Sequence, residues 1–283
     1  MTTTPYPLGR HVNHDPRSRA FAYDASAVPV QLASVRWARQ VPTFDQGNLG
    51  SCTGNAAVGC IGTHPFFETL PANTALDEKV AISVYSDATK IDSAPGSYPP
   101  TDTGSDGLSV AKVLTSRGLI SGYTHAFTFA DALAALSNHP IIVGVNWYQN
   151  MFQPDANGVV TIPVGDTIAG GHEFVLDEIN VEKQLVGAQN SWGTGWGVDG
   201  GRFYIPFTVL KRLLSEQGDA TVFVPVNAPV PVPTPPPAPI PVVDPVDQNC
   251  WDSVKPWALG RHTGQNKAAA NTVKAWAKTK GLL

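Results

Sequence analysis

The sequence predicts an α+β fold in which helices come first and an antiparallel sheet follows. Apolar residues recur at helical spacing between residues 51 and 136, whereas short runs of branched and aromatic residues dominate from 141 to 224. Glycines, prolines and an Asn-Gly pair separate those short runs, as expected of strands joined by tight turns. The 283 residues are 42% apolar and 15% charged, which is ordinary for a globular protein with a sizeable core.

Four helices are expected in the first half of the chain. The first begins at Cys52, because Cys52, Ala56 and Cys60 recur at helical spacing, and it points Cys60 toward the core. Thr74 opens the capping-box pattern Thr-Ala-Leu-Asp and therefore marks the start of the second helix. The third and fourth are expected over 108–117, which Gly118 ends, and over 129–136, before Asn138-His139-Pro140.

The second half of the chain predicts the sheet. Its apolar runs are short and contain the residue types that fit a pleated surface. Because turn residues follow each run closely, neighbouring strands are expected to pair in antiparallel fashion. We expect strands over 141–145, 159–162, 172–179, 184–189 and 201–205, a short helix over 206–214 and a final strand over 220–224.

Two unusual segments flank the main folded domain, which is expected to span residues 35–227. Residues 1–34 form a polar, proline-punctuated N-terminal arm that we expect to lie against another surface. From Ala228 to Pro245, nine of eighteen residues are proline, a composition that favours the extended polyproline II conformation. The segment 228–245 is therefore interpreted as a Pro-rich linker, with a ligand for an SH3-type domain as the alternative.

The last segment, residues 246–283, is basic. It carries a formal charge of +4, whereas the rest of the chain carries −8. Its apolar positions predict a short pair of helices, and a unit of fewer than about 40 residues rarely holds a core by itself. We therefore expect this small helical segment to bind a partner protein, a cell wall or a particle, or to pair with copies of itself.

Composition argues against several classes of protein. The formal net charge of −4 argues against a nucleic-acid partner, and the sequence has no apolar run near the ~18 residues that a membrane span requires. The first residues lack the basic and apolar regions of a secretory signal, so we expect a cytoplasmic protein, or a virion-associated one if it is phage-encoded. Three cysteines cannot form a dense disulfide framework. Neither a metal nor a cofactor is expected.

The residues that carry chemistry lie in three separate stretches. Gln46 stands six positions before Cys52, and a thiol at a helix N-terminus feels the positive end of the helix dipole, which favours the nucleophilic thiolate. The alternative is that Cys52 is a buried core residue. His172 follows two glycines, and eighteen residues later Asn190 opens the stretch Asn-Ser-Trp-Gly-Thr-Gly-Trp-Gly.

These stretches give the sequence a family resemblance. Asp45-Gln46-Gly47 through Ser51-Cys52, Gly171-His172, and Asn190 through Gly197 stand in the order and at the spacing found in papain-family cysteine peptidases. The chain resembles that family over roughly residues 35–225, and Leu49 and Thr53 beside the cysteine make it similar to the xylellain-like branch from bacteria and phages. The resemblance implies a two-lobed fold, with a helical lobe, an antiparallel sheet or barrel lobe, and a cleft between them.

The resemblance also implies a role for each matching residue. Cys52 is the expected nucleophile, His172 the general base and acid, and the two are expected to form a thiolate–imidazolium pair. Asn190 orients the imidazole, and Trp192 shields their hydrogen bond from water. Gln46 and the backbone N–H of Cys52 form the expected oxyanion hole. No metal takes part, and the substrate is a protein or peptide.

Other positions near these stretches are less typical of the family. Glu173 follows the histidine directly; alternation along a strand predicts that it points away from Cys52, while its charge tunes His172. Residues 1–30 are expected to lie near the cleft and to limit access to it. The candidates for substrate-binding walls are Gly107, Leu108 and Gly171, with Trp147 and Tyr148 as further candidates that fit strand core equally well.

Two other functions fit the layout of the chain. A peptidoglycan-degrading hydrolase of the papain superfamily, similar to an endolysin, also joins a catalytic body to a cationic binding tail. A particle-bound structural protein with a papain-like body needs no activity. The presence of Gln46, Cys52, His172 and Asn190 together favours a cysteine-type endopeptidase over both.

Overall fold

A seven-stranded antiparallel sheet organises the second half of the chain. The strands are β1 (Val35–Arg36), β2 (Gly122–His125), β3 (Ile141–Tyr148), β4 (Ile168–Asn180), β5 (Leu185–Gln189), β6 (Arg202–Pro206) and β7 (Asp219–Val224). The strand order in the sheet is β2-β7-β3-β4-β5-β6, and β1 pairs with the long strand β4. The antiparallel sheet predicted from the sequence is therefore present.

Three details of the sheet differ from the sequence expectation. Residues 159–162, which lie in the described part of the chain, form a single bridge between Val159 and Tyr204 in place of a strand. Strands β1 and β2 were not predicted, because two and four residues are too few to show a periodic pattern. Strand β4 begins four residues earlier than expected, since Gly170 and Gly171 continue the pairing with β3.

The helices form the other lobe and the edges of the sheet. They are α1 (Cys52–Ile61), α2 (Phe66–Thr69), α3 (Glu78–Ala88), α4 (Gly107–Ser116), α5 (Phe129–Leu136) and α6 (Phe207–Ser215), with short 3-10 helices at Pro16–Phe21 and Gln149–Phe152. One hydrophobic cluster surrounds α1, α3 and α4, and a second, centred on Trp147, lies between the sheet and α5 and α6. The predicted helical and sheet lobes correspond to these two clusters.

The start of α3 corrects one prediction. The Asp77 carboxylate caps this helix by accepting a hydrogen bond from the backbone N–H of Val80 at 2.9 Å. Thr74, the expected cap, instead donates its hydroxyl to the carbonyl of Pro71 at 2.6 Å. The chain makes a turn at Thr74, so the helix begins three residues later, at a residue that is itself a preferred N-cap.

Helix α1 is buried along its whole length, and its glycines permit this. A Cβ atom on Gly54 would lie 2.3 Å from the carbonyl oxygen of Ala81 on α3, and one on Gly59 would lie 2.9 Å from Nη1 of Arg39. Side chains at these positions would push the helix away from its neighbours. Close packing on all sides fixes the helix, and with it the position of Cys52 at its first turn.

The computed structural model describes residues 5–25, 32–226, 271 and 273–278. The chain divides into two units, Met1–Thr234 and Pro235–Leu283. Within the second unit, residues 273–278 are helical and Ala277 is buried. The expected linker 228–245 and most of the basic segment 246–283 lie outside the described residues, so the domain boundaries and the partner-binding role stay predictions.

Within these described ranges, the chain contains no helix that is long and apolar enough to cross a membrane.

A buried ion pair ties three parts of the sheet together. Asp177 lies at an irregularity in the pairing of β4 with β5, and both of its carboxylate oxygens accept hydrogen bonds from Arg202 of β6, each at 2.7 Å. The same guanidinium reaches Oε2 of Glu178 at 3.0 Å, and the carbonyl of Asp177 accepts a hydrogen bond from the N–H of Trp37. Both partners are almost completely buried, at 4% and 1% exposure of their side chains.

Removing one member of this pair leaves a buried charge without its partner. We expect Asp177→Ala to lower the free energy of unfolding by about 3 kcal/mol, measured by urea denaturation at pH 7. The matched control is Arg36→Ala, which removes an exposed contact 3.6 Å from Glu178 and should cost less than about 1 kcal/mol. Equal losses in the two variants would contradict a special role for the buried pair.

Candidate active site

The loop before α1 positions the candidate nucleophile. Gly47 adopts a left-handed conformation (φ +57°), and the N–H of Gly50 donates to a carboxylate oxygen of Asp102 at 2.8 Å. The side-chain amide of Asn55 donates to the carbonyl of Ser51 at 3.0 Å. These bonds anchor the loop on both sides of Cys52, so the thiol is fixed at the positive end of α1.

His172 and Asn190 come together from neighbouring strands. His172 lies on β4, Asn190 follows β5, and Nε2 of the imidazole lies 2.8 Å from Oδ1 of the carboxamide. The same Oδ1 accepts a hydrogen bond from the N–H of Ser191 at 2.8 Å, so it acts as an acceptor toward the imidazole as well. The pairing assigns the proton to Nε2 and leaves the lone pair on Nδ1, which is buried without a partner among the described residues.

Aromatic rings enclose this imidazole. Trp192 stacks on His172 with ring centroids 4.5 Å apart and an interplanar angle of 24°. Trp147 meets the same ring edge-on at 5.0 Å. Burial lowers the pKa of His172 to about 4, although the hydrogen bond with Asn190 acts in the opposite direction. The imidazole is therefore neutral at physiological pH in this arrangement.

The thiol of Cys52 lies beside the strand that carries the histidine. Backbone hydrogen bonds from Glu173, Gly9 and Thr53 to the sulfur favour the thiolate, but burial outweighs them and, with the charge of Glu173, raises the pKa of Cys52 to about 12. The expected thiolate–imidazolium pair is therefore not the form favoured here. Thiol and imidazole are both neutral because both are completely buried.

Gln46 has the orientation of a donor. Its Oε1 accepts a hydrogen bond from the hydroxyl of Ser191 at 2.7 Å, which turns Nε2 the other way. Nε2 then donates to the carbonyl of Leu49 at 2.7 Å and lies 3.5 Å from the carbonyl oxygen of Pro7. A backbone carbonyl of the N-terminal arm thus faces the amide that the sequence assigns to the oxyanion hole.

The cleft is covered by residues 6–11, which we call the covering segment. Tyr6 stacks on Trp192 with centroids 4.6 Å apart. Gly9 comes so close to the loop before Cys52 that a Cβ atom on it would lie 1.9 Å from the carbonyl oxygen of Gly50. The sequence expectation that the first 30 residues lie near the cleft thus agrees with the position of this segment.

Main-chain hydrogen bonds hold the covering segment in an extended conformation. The carbonyl of Gly9 accepts from the N–H of Ser105 at 2.8 Å, and the N–H of His11 donates to the carbonyl of Ser105 at 2.7 Å. On the other side, the N–H of Arg10 donates to the carbonyl of Gly171 at 2.9 Å. The segment therefore lies between the helical lobe and β4, joined to Ser105 by an isolated parallel bridge at Arg10 and to β4 by its hydrogen bond with Gly171.

The predicted wall residues differ in what they contact. Gly171 binds the covering segment through its carbonyl group. Gly107 lies against Glu173, since a Cβ atom on it would be 2.6 Å from Oε1 of that residue. Leu108 is buried and lines a cavity behind Gly107. Trp147, by contrast, is fully buried in the aromatic cluster around His172 and belongs to the core.

Glu173 is completely buried on the face of β4 opposite to His172. The strand alternation that separates it from His172 points its side chain toward Gly107 and Asp219. The prediction that its charge tunes the histidine is wrong, because the charge acts on the pKa of Cys52 while burial and Asn190 account for the shift of His172.

Several residues that shape the site were missed by sequence reasoning. Arg10 and Asp219 meet across the fold through an ion pair that joins positions 209 residues apart. Asp102 binds both Gly50 and the hydroxyl of Tyr85. None of them stands in a recognisable motif, so the sequence contains no local signal for these contacts. In the described part of the molecule, no group of three or more His, Cys, Asp or Glu side chains could hold a metal ion.

Comparisons with known proteins agree with the geometry at the level of the fold. No family model matches the sequence, and neither does any curated protein. Among solved structures the chain is similar to xylellain, a cysteine protease from Xylella fastidiosa, with a TM-score of 0.64 and 19% identity, covering 80% of this chain and 99% of that one.

Two eukaryotic precursors are also similar. Digestive procathepsin L 3 from the larval midgut of Tenebrio molitor has a TM-score of 0.51 at 16% identity, and the recombinant stem bromelain precursor has 0.50 at 18%. Each match covers 77% of this chain and 75% of the other. The chain therefore has the fold of papain-like cysteine proteases, which confirms the predicted fold class and the resemblance.

Burial of the thiol makes a prediction about its reactivity. At pH 7 to 9 the Cys52 thiol is protonated and covered, so we expect iodoacetamide to alkylate it at least about 100-fold more slowly than a free cysteine peptide. Modification is measured by mass spectrometry of tryptic peptides, with the buried Cys60, whose pKa is also raised by burial, as the internal control. Rapid alkylation of Cys52 together with a silent Cys60 would show that the cleft is open.

Proposed function

We propose that the protein is a cysteine-type endopeptidase in which Cys52, His172 and Asn190 hydrolyse peptide bonds. The observation that supports this most directly is the hydrogen bond of His172 Nε2 with Asn190, which leaves Nδ1 unprotonated. The backbone N–H of the next residue, Glu173, donates to the sulfur of Cys52 at the N-terminus of α1.

The reaction begins with proton transfer from the Cys52 thiol to Nδ1 of His172. The sulfur attacks the substrate carbonyl carbon, and the resulting oxyanion accepts hydrogen bonds from Nε2 of Gln46 and the N–H of Cys52. When the carbon–nitrogen bond breaks, Nδ1 returns the proton to the leaving amine and a thioester remains. Water then attacks the thioester with His172 as the base, and the thiol is regenerated.

We also propose that the covering segment keeps the enzyme latent. The carbonyl of Pro7 faces Nε2 of Gln46, and Gly9 lies over the thiol, so a substrate cannot reach either group while the segment is bound. Displacing the segment admits water and substrate together. Hydration lowers the pKa of Cys52 and raises that of His172, since burial is the main cause of both shifts.

The roles of the thiol and the amide are tested by variants at these two positions. Both variants are made in a chain that also carries Arg10→Ala, which releases the covering segment. In that chain Cys52→Ala should abolish both hydrolysis of casein and covalent labelling by the thiol-directed peptide epoxide E-64. Gln46→Ala should retain labelling but lower kcat by about 10²–10³-fold, the usual cost of one oxyanion donor. The control is Asn150→Ala, which removes an exposed side-chain amide that bonds to Thr161. Its casein hydrolysis and E-64 labelling should equal those of the parent chain.

The alternative functions are distinguished in the same samples. Clearing of cell walls in a zymogram without cleavage of casein would support a peptidoglycan hydrolase. The third alternative is a structural protein with a papain-like body. It would be supported if freshly reduced protein, with the covering segment released, neither reacts with E-64 nor cleaves casein or cell walls.

Latency is tested by a single substitution in the covering segment. Arg10→Ala removes a buried guanidinium and leaves Asp219 without its cation, which should release the segment and raise kcat/KM for casein-derived peptides at least about 10-fold. The matched control is Arg17→Ala, which removes an exposed ion pair with Asp15 on the same arm and should leave turnover unchanged. Equal activity in the wild type and the Arg10 variant would contradict latency.

A further inference from the structure

A closed acidic pocket lies beside the nucleophile, and the side chain of Arg10 fills it. Nε of Arg10 donates to Oδ2 of Asp219 at 3.1 Å, and Nη2 donates to the carbonyl of Gln217 at 2.6 Å and to the same Asp219 oxygen. The guanidinium is completely buried. We call this site the acidic pocket; its residues are Asp106, Gly107, Gly144, Glu173 and Asp219.

The acidic pocket holds more acceptors than Arg10 uses. Within the described residues, both carboxyl oxygens of Glu173 are buried without a hydrogen-bond partner, and so is Nη1 of Arg10. Burial and the charge of Asp219 raise the pKa of Glu173 well above its usual value, although the charge of Arg10 acts in the opposite direction. In an empty pocket, Asp219 would lose the cation that it pairs with here.

Two walls of the acidic pocket are glycines, which leave room for a long side chain. A Cβ atom on Gly144 would lie 2.7 Å from Nε of Arg10, and one on Gly107 would lie 2.6 Å from Oε1 of Glu173. Any larger residue at either position would narrow the space that the guanidinium or the carboxyl group occupies. A cavity of about 480 Å³, lined in part by Asp106, Gly107 and Asp219, adjoins the pocket.

The residue that fills the acidic pocket comes directly after the residue that contacts the reacting sulfur. The N–H of Gly9 faces the Cys52 sulfur, and Arg10, the next residue, inserts its side chain. The main chain of both residues is held by Ser105 and by Gly171, the residue before His172. An extended peptide bound to the same groups would also direct a side chain into this pocket from a residue close to the scissile bond.

We propose that the acidic pocket selects an arginine side chain of the substrate, within three residues of the scissile bond, and that Arg10 occupies the same site in the latent chain. The proposal rests on the peptidase function argued above. A guanidinium fits this site better than an ammonium, because Nε and Nη2 of Arg10 donate in two directions, to Asp219 and to the carbonyl of Gln217, and because Gly107 and Gly144 leave room for a planar group.

The test uses the full chain carrying Arg10→Ala and a positional library of fluorogenic tetrapeptides. At one position of the library, arginine should exceed leucine by at least about 10-fold in kcat/KM. Adding Asp219→Asn or Glu173→Gln should reduce this arginine-to-leucine ratio at least about 5-fold, whereas the exposed control Glu182→Gln should leave it unchanged. A general loss of activity would lower kcat/KM equally for the arginine and leucine peptides. The ratio would then stay unchanged, which would contradict the proposal.

A binding measurement separates this proposal from the peptidase function. Agmatine carries a guanidinium but no scissile bond, and it should raise the Tm of the Arg10→Ala chain, while butylamine should not. Adding Gly144→Val, which fills the pocket while keeping both carboxyl groups in the chain, should abolish the agmatine effect. Absence of both the Tm shift and the arginine preference overturns the proposal. A Tm shift in a chain that neither cleaves peptides nor reacts with E-64 would support the pocket and reject the proposed chemistry.

Discussion

Complete burial of α1 is the constraint on which the site depends. A helix surrounded on all sides can neither rotate nor shift, so the first turn holds Cys52 in one position against β4. The glycines of α1 allow this contact, because side chains at Gly54 and Gly59 would collide with α3 and with Arg39. The nucleophile is thus positioned by packing of the whole helical lobe rather than by bonds of its own side chain.

Burial also determines the protonation of the candidate catalytic pair. The dipole of α1 and the backbone hydrogen bonds to the sulfur favour a thiolate, yet desolvation outweighs both. The same desolvation keeps His172 neutral. Because the covering segment excludes water from this cleft, access for substrate and activation of the thiol depend on one event, the departure of a few residues.

Sequence reasoning identified the residues whose roles follow from chemical type and order. Gln46, Cys52, His172 and Asn190 stand in blocks with strong local patterns, and the long periodic segments gave α1, α5 and the central strands. It failed where the contact depends on distant parts of the chain. Arg10 meets Asp219 only because the arm crosses the cleft, and periodicity carries no information about such a path.

The cap of α3 and the side chain of Glu173 show two further limits of sequence reasoning. Thr74 satisfies the local pattern for an N-cap, but Asp77 satisfies it too, and tertiary packing decides between them. Alternation correctly separates Glu173 from His172 on the strand, yet it cannot show that the opposite face is a closed pocket rather than solvent. The groups that surround a buried carboxyl group decide which pKa values its charge affects, and periodicity does not predict those groups.

The charge of the acidic pocket explains why a basic residue covers this cleft. An apolar cover would exclude water equally well, but it would leave Asp219 without a counter-charge. Arg10 compensates that charge and, through its main chain, bridges to β4. Latency and substrate recognition therefore depend on the same carboxyl groups. When Arg10 leaves the pocket, a substrate that takes its place has to provide a positive charge.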